Sequence, residues 1–242
     1  MWDNHTLLRN IANTMLACGV IGLLYGIGYY FMNLPGVFPL RSVRLSAVPN
    51  NVSPEQVLSV LHTEVRGNLV TADIDRLRNV LEQLPWVRRI NIRREYPDRL
   101  VVRIEEHQVL ARWNSNRLVN RQGEVFVADS EQALPSFIGP EGASTEVTQR
   151  YTEFSQQLDA LDLHATQLAL SPRHAWQIRL NNGMVLELGR EYVLQRLSRF
   201  VAAYPYSLQT EGREQGAGGR VAYVDLRYRN GFSVKRIATG KG

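Results

Sequence analysis

Trp86-Val87-Arg88-Arg89-Ile90-Asn91-Ile92-Arg93-Arg94 runs into Tyr96-Pro97-Asp98, and then into Leu100-Val101-Val102-Arg103-Ile104-Glu105-Glu106. The flanking stretches are rich in Val and Ile with charged residues interleaved, the mark of strands with one buried face. The Pro-Asp step between them is a turn signal, so the three stretches read as a strand, a turn and a returning strand. Upstream, Ile74, Leu77, Leu81 and Leu84 recur at three and four residues, an amphipathic helix with Thr71 as its expected cap and Pro85 as its end. Gly67 and Asn68 break the chain before it. Ser53-Pro54-Glu55-Gln56 starts an earlier helix: Ser53 can cap, Pro54 suits the first helical position, and Gln56 has capping-box spacing. Val57, Leu58 and Leu61 then face a core. Before that helix, Ser42 to Val48 alternates Val43, Leu45 and Ala47 against Arg44 and Ser46, a further strand. The order β-α-α-β-β predicts a small three-stranded sheet covered by two helices on one face.

Further upstream, no charged residue occurs from Asn10 to Leu40, and Ile11 to Met32 reads IANTMLACGVIGLLYGIGYYFM. As a helix this run is about 33 Å long, enough to cross a hydrocarbon core of about 30 Å. Tyr29 and Tyr30 suit a membrane–water interface, and Pro35 and Pro39 stop the helix. The run is longer than a signal-peptide core and no small-x-small site follows it, so a retained anchor is expected. Charge leaves its orientation open, since Arg9 precedes the span and Arg41 and Arg44 follow it. Cys18, Gly22 and Gly26 recur every four residues, a spacing that lets two membrane helices pack closely.

Downstream of Gln108 the pattern shifts to a mostly antiparallel β unit with two helices, giving an α+β chain overall. Arg117-Leu118-Val119-Asn120 and Glu124-Val125-Phe126-Val127 flank Gln122-Gly123, a hairpin signal. Leu134 to Ile138 is short and extended, and Val147, Tyr151, Phe154, Leu158 and Leu161 form a helical stripe. Leu168–Leu170, Trp176–Leu180 and Met184–Leu188 are strand-like, the last two joined by Asn181-Asn182-Gly183, where an Asn-Gly step suits a tight primed turn. Val193, Leu197, Phe200, Val201 and Tyr204 mark a second helix, Glu211 to Arg220 a loop, and Arg220 to Arg236 one or two closing strands around Asn230-Gly231. The expected divisions are residues 1–10 before the span, 11–32 in it, 38–107 for the first unit and 108–242 for the second.

The chemistry of the side chains points away from catalysis. His5, His62, His107, His164 and His174 are scattered without metal-ligand spacing, and GxSxG, HExxH and phosphate-loop patterns do not occur. Glu105-Glu106-His107 is a dense polar trio that strand alternation splits between faces, and it reads as solvated surface. Asp73 and Asp75 stand where a helix start favours acids. The net charge of +5 is mild, and only Lys235 and Lys241 are lysines. Arg88, Arg89, Arg93 and Arg94 straddle both faces of one strand rather than forming a nucleic-acid stripe. Cys18, the single cysteine, lies in the apolar run, so no disulfide forms within the globular part. No cofactor, metal, small-molecule substrate or nucleic acid is expected. The last segment is the candidate binding edge: Arg227, Arg229, Lys235 and Arg236 interleave with Tyr228, Phe232 and Val234. A sheet edge accepts an added strand, and basic residues on it either recruit a partner or protect it from aggregation.

A membrane span, then β-α-α-β-β carrying Leu84-Pro85-Trp86-Val87, Tyr96-Pro97-Asp98-Arg99-Leu100 and Glu105, then Ala111-Arg112-Trp113 and finally Tyr223-Val224-Asp225-Leu226-Arg227-Tyr228, resembles the FtsQ/DivIB family of bacterial cell-division proteins. The resemblance covers nearly the whole chain and rests on the order and spacing of these motifs. It implies a POTRA domain for the first unit, and it places both units on the periplasmic side of the inner membrane with the N-terminus cytoplasmic and the protein concentrated at the septum. It implies a non-enzymatic scaffold that receives the periplasmic segment of FtsB, in complex with FtsL, and meets other divisome proteins through the POTRA-like unit. The residues carried over to the partner surface are Arg173, Tyr223, Arg227, Tyr228, Asn230, Gly231, Phe232 and Val234, with Arg173 matched to a partner carboxylate. Lys235 and Arg236 stand where relatives can carry a tryptophan, which leaves Phe232 as the expected apolar anchor. The competing class is a membrane-tethered secretion or folding factor that uses the same module on transiting polypeptides.

Overall fold

The computed structural model describes residues 5–34, 36–47, 49–65, 67–207 and 220–237. Pro35 as a helix stop, Val48 as a strand end and the glycine-rich run 211–219 lie outside the described residues. The chain divides into two compact units, Met1–Glu106 and His107–Gly242.

The first unit begins with helix α1 (His5–Asn33), of which Thr6–Met32 is long and apolar enough to cross a membrane. Its side chains from Thr6 to Met32 are exposed. Strand β1 (Ser42–Leu45), helices α2 (Pro54–Glu64) and α3 (Ile74–Leu81), and strands β2 (Val87–Glu95) and β3 (Arg99–Glu106) follow. β3 is central, parallel to β1 and antiparallel to β2, so the sheet order is β1-β3-β2. Ile90 and Ile92 of β2 register with Ile104 and Val102 of β3, and these side chains point to the helices. There they meet Val57 and Leu61 of α2 and Leu77 and Leu81 of α3, all buried. Burying each such side chain contributes about 1.5–3 kcal/mol.

The helix ends differ from their expected chemistry. α3 is capped by Asp73, whose carboxylate accepts from the Arg76 backbone N–H at 2.9 Å, and not by Thr71. Thr71 instead joins a cluster around buried Asn68. Leu84 lies beyond the helix, because the residue before a proline is pushed out of helical backbone and Pro85 follows it. Ser53 sits at the start of α2 but caps nothing; its hydroxyl donates to the Glu55 carboxylate at 2.7 Å.

The second unit is a nine-stranded mixed sheet in the order β12-β11-β10-β9-β8-β7-β4-β5-β6. In chain order its elements are β4 (Val109–Trp113), β5 (Arg117–Asn120), β6 (Val125–Phe126), β7 (Ser136–Ile138), α4 (Ser144–Leu158), β8 (Ala165–Leu170), β9 (Trp176–Leu180), β10 (Val185–Gly189), α5 (Val193–Ser207), β11 (Arg220–Asp225) and β12 (Ser233–Ile237). α4 packs on β8 and α5 on β10. Phe137, Phe154, Leu168, Ile178, Leu186 and Phe200 are wholly buried between sheet and helices. The β9–β10 connection is a three-residue loop, Asn181-Asn182-Gly183, in which only Gly183 takes positive φ (81°). It is therefore the three-residue hairpin form with a left-handed glycine, not the primed two-residue turn that the Asn-Gly step suggests.

The trio Glu105-Glu106-His107 is structural rather than loose surface. The Glu106 carboxylate accepts from the backbone N–H groups of Asn50, Asn51 and Val52 at 2.9–3.0 Å, holding the entry to α2. Glu105 pairs with Arg88. In the second unit, the His107 ring stacks on Phe126 with centroids 4.1 Å apart and contacts the Asn120 amide at 2.9 Å.

Candidate partner-binding surface

β11 and β12 continue the sheet as an antiparallel pair, with Val224 opposite Val234 and Asp225 opposite Ser233. β12 is the terminal strand in the order, so among the described residues the side of its backbone away from β11 has no sheet neighbour. Such an edge is a template for a further strand. Along it Ser233, Lys235, Arg236 and Ile237 are exposed, while Val234 is half-buried against the core.

Register fixes which loops meet at one end of this sheet. Trp176 begins β9 and pairs with Leu170, the last residue of β8, so Arg173 lies in the loop joining them. Gly189 ends β10 opposite Trp176, and Glu187 registers with Asp225 at the end of β11. The Arg173 loop, the Gly189–Tyr192 turn and the Leu226–Phe232 hairpin loop therefore share that end. Residues far apart in sequence, Arg173 and Tyr228, are brought to one region, and both are exposed.

Side-chain chemistry shapes the hairpin loop. Asp225 is 7% exposed, and its carboxylate accepts from the Arg227 backbone N–H (3.0 Å), Nε (2.9 Å) and Nη2 (2.7 Å). The Arg227 hydrogen bonds hold the Asp225 carboxyl below its ordinary 3.8, against the opposing effect of burial. The same contact pushes the Arg227 guanidinium up. Arg227 is thus a brace of the loop as well as an exposed cation. Burial, with Glu187 and Asp225 nearby, pushes the Tyr223 phenol up, and this half-buried ring stays neutral. Gly189 takes φ +74°, and a Cβ there would meet Arg196 Nη1 at 2.8 Å and Arg227 Cγ at 3.1 Å. The β10 turn is a glycine because these two arginines cross directly over it. On α5, Arg196 donates to the Leu188 carbonyl, and Arg199 donates from its two terminal nitrogens to the carbonyls of Arg229 and Tyr228.

The expected site residues therefore divide. Tyr228 (57% exposed), Asn230, Gly231 and Arg173 face solvent. Tyr223, Phe232 and Val234 are half-buried; Phe232 and Val234 pack against the core and offer only part of their surface. Gly189, Tyr192, Arg196 and Arg199 were not expected from the sequence. Tyr192, 72% exposed at φ 55° in a polar turn, falls outside the α5 apolar stripe, and that was the available signal. Arg196 and Arg199 act across the fold and left no local mark. In the first unit, Cys18 is exposed, and Gly22 and Gly26 have open space where a Cβ would stand. Among the described residues no group of His, Cys, Asp and Glu is arranged to hold a metal ion.

Comparison with known proteins agrees with this architecture. The family described as POTRA domain, FtsQ-type, matches residues 38–107, and that described as Cell division protein FtsQ/DivIB, C-terminal, matches residues 111–227. The cell division protein FtsQ of Nitrosospira multiformis is 38% identical over 97% of this chain and 99% of its own length. That of Burkholderia pseudomallei is 36% identical over 97% of this chain and 94% of its own. That of Escherichia coli is 37% identical over 73% of this chain and 64% of its own. With the POTRA unit, the nine-stranded second unit and these relatives together, the chain belongs to the FtsQ/DivIB family of cell-division proteins.

Proposed function

We propose that this chain is a non-enzymatic scaffold of the bacterial divisome, anchored in the inner membrane by α1. Its N-terminus is cytoplasmic, and both units are periplasmic and concentrated at the septum. The β12 edge and the loops beside it receive the periplasmic segment of FtsB, in complex with FtsL, as an added strand. The POTRA unit meets other divisome proteins and so links early cytoplasmic-side to late periplasmic assembly. Cys18, Gly22 and Gly26 form the face on which α1 packs against a partner span. One observation carries this reading: the second unit ends in an open, basic edge strand, with Arg173 and Tyr228 exposed at the same end of the sheet. A partner carboxylate at Arg173 and an apolar side chain against Tyr228 suit that surface.

The test is a titration of the full chain with the FtsB–FtsL pair. Tyr228→Ala, or charge reversal in Arg173→Glu, removes complex formation while the far-ultraviolet spectrum stays that of the parent. Unchanged affinity in both variants overturns the assignment. In cells, depletion gives filaments without septa, and a reporter fused to the C-terminus is active only if it is exported; normal septation or a cytoplasmic reporter refutes the corresponding part.

A further inference from the structure

The first unit carries a basic surface that no single stretch of sequence displays. Alternation in β2 sends Ile90 and Ile92 to the helices and Arg89, Asn91 and Arg93 to the opposite face. Register adds Arg99 and Arg103 from β3 and Arg44 from β1, since Arg44 lies opposite Val101 and Val101 opposite Arg93. The helices cover only the other face. Val101 points outward yet is 8% exposed, so the surrounding side chains cover it. Arginine stems do this while their guanidinium groups remain in water. A shallow depression of about 480 Å³ lies on this face, lined by Ser46, Arg89, Asn91, Arg93 and Arg103 among others.

One end of that face is tied to the membrane helix. Asn68 Nδ2 donates to the Met32 carbonyl at 2.6 Å, at the last turn of α1, and the Leu69 N–H donates to the Phe38 carbonyl at 2.9 Å. Arg94 Nε donates to the Leu69 carbonyl at 2.7 Å, so the same segment is fixed to the end of β2. Arg41 and Ser42, entering β1, both donate their N–H groups to the Asp98 carbonyl. At this end the Phe38 and Tyr96 rings form an edge-to-face pair with centroids 6.1 Å apart, and they are 42% and 63% exposed. Arg41 and Arg99 lie at this end of the sheet, and Arg44 and Arg93 flank Val101 two positions further along β3, all four exposed; the acids at this end are Glu95 and Asp98, the latter 3.6 Å from Arg99.

We propose that this end of the POTRA sheet is a second membrane contact, in which Phe38 and Tyr96 sit at headgroup depth and Arg41, Arg44, Arg93 and Arg99 bind the phosphates of anionic lipid in the bilayer that α1 crosses. The proposal rests on α1 being a membrane span and not on which side the unit occupies. Exposed aromatics beside arginines are the composition of a membrane–water interface. Guanidinium forks match phosphate oxygens. The tether decides between lipid and an acidic polypeptide: the face begins where the span ends, so anionic headgroups are always within reach. Such a contact fixes the height and tilt of the POTRA unit over the bilayer.

The experiment is amide hydrogen exchange on the full chain in nanodiscs of neutral lipid and of lipid containing phosphatidylglycerol. In anionic discs, exchange across 41–44 and 95–99 slows several-fold, while α2 (Pro54–Glu64) is unchanged. High salt abolishes the protection, because exposed charges are screened, and so does the double variant Arg44→Gln/Arg93→Gln. The lipid and salt arms use the unaltered protein and do not depend on how the variant folds. Equal exchange in both kinds of disc, with the chain incorporated, overturns the headgroup contact alone. Failure to incorporate overturns the span and this proposal with it. Protection by an added polyglutamate peptide but not by anionic lipid overturns the proposal and assigns the face to an acidic polypeptide.

Discussion

Asp225 shows how one carboxylate sets a surface it does not join. Almost all of it is buried, and its carboxylate accepts three hydrogen bonds from Arg227, two residues on. Removing the charge leaves the guanidinium without its partner and frees the loop that presents Tyr228. Asp225→Asn is expected to cost about 1–3 kcal/mol in denaturant unfolding of the second unit, and to weaken partner binding through a faster off-rate. The pH dependence has a definite sign. The folded-state pKa of Asp225 is lowered, so the carboxylate stabilises above its ordinary 3.8 and that contribution disappears as pH falls through the folded value. The stability gap between parent and Asp225→Asn therefore stays constant near neutrality and closes below 3.8. A gap that persists in acid refutes the account. The place of Tyr228 and Arg173 on the partner surface came from the family resemblance, and only their exposure was legible in the residues around them. The bracing of Arg227 was not, since it depends on where β11 ends and the chain bends back. Phe232 was read as an anchor, and its partial burial shows the competing pull of the core.

Elements were legible wherever periodicity and burial agree. The alternation in β2 and β3 and the three-and-four spacing in α3 and α5 gave the right type of element, because each has one dry face. Caps were less legible: Thr71 and Asp73 are both good cap residues, and tertiary demand from Asn68 took Thr71. Sheet order was not legible, since the parallel β10–β11 and β7–β8 pairings join strands that are not linked by hairpins. Two contacts between elements lead to predictions. Arg199 of α5 clamps the Tyr228 and Arg229 carbonyls, so Arg199→Ala should speed amide exchange in 228–231 and lower partner affinity several-fold. Because most of the core is untouched, the unfolding midpoint should move little; a large fall in stability with unchanged loop exchange would reverse the assignment. In the first unit, Arg94 donates to the carbonyls of Leu69, Val70 and Ala72. Arg94→Ala should destabilise that unit by about 1–2 kcal/mol, and Arg94→Lys should recover only part, since an ammonium cannot span three carbonyls as a fork does. Chemical denaturation of the two variants measures both.

At the scale of the molecule, the two units hold separate cores, with Leu81 wholly buried in one and Leu168 wholly buried in the other. Truncating a buried leucine to alanine costs about 2–5 kcal/mol, and the loss falls on the cooperative unit that contains it. Leu81→Ala should thus lower only the unfolding transition of the first unit, and Leu168→Ala only that of the second. If both variants shift one shared transition, the units do not unfold independently. The same separation bears on the proposed division of labour. The β12 edge, Arg173 and Tyr228 draw their positions from the sheet of the second unit and from α5. A chain lacking residues 38–106 but keeping α1 should therefore still capture the FtsB–FtsL pair. Its septal localisation should be lost, because the POTRA surface proposed to meet other divisome proteins is gone. Pull-down and fluorescence imaging of that deletion read the two roles separately. Retained localisation would place recruitment on α1 or the second unit, and lost capture would show that the edge strand does not work without the POTRA unit.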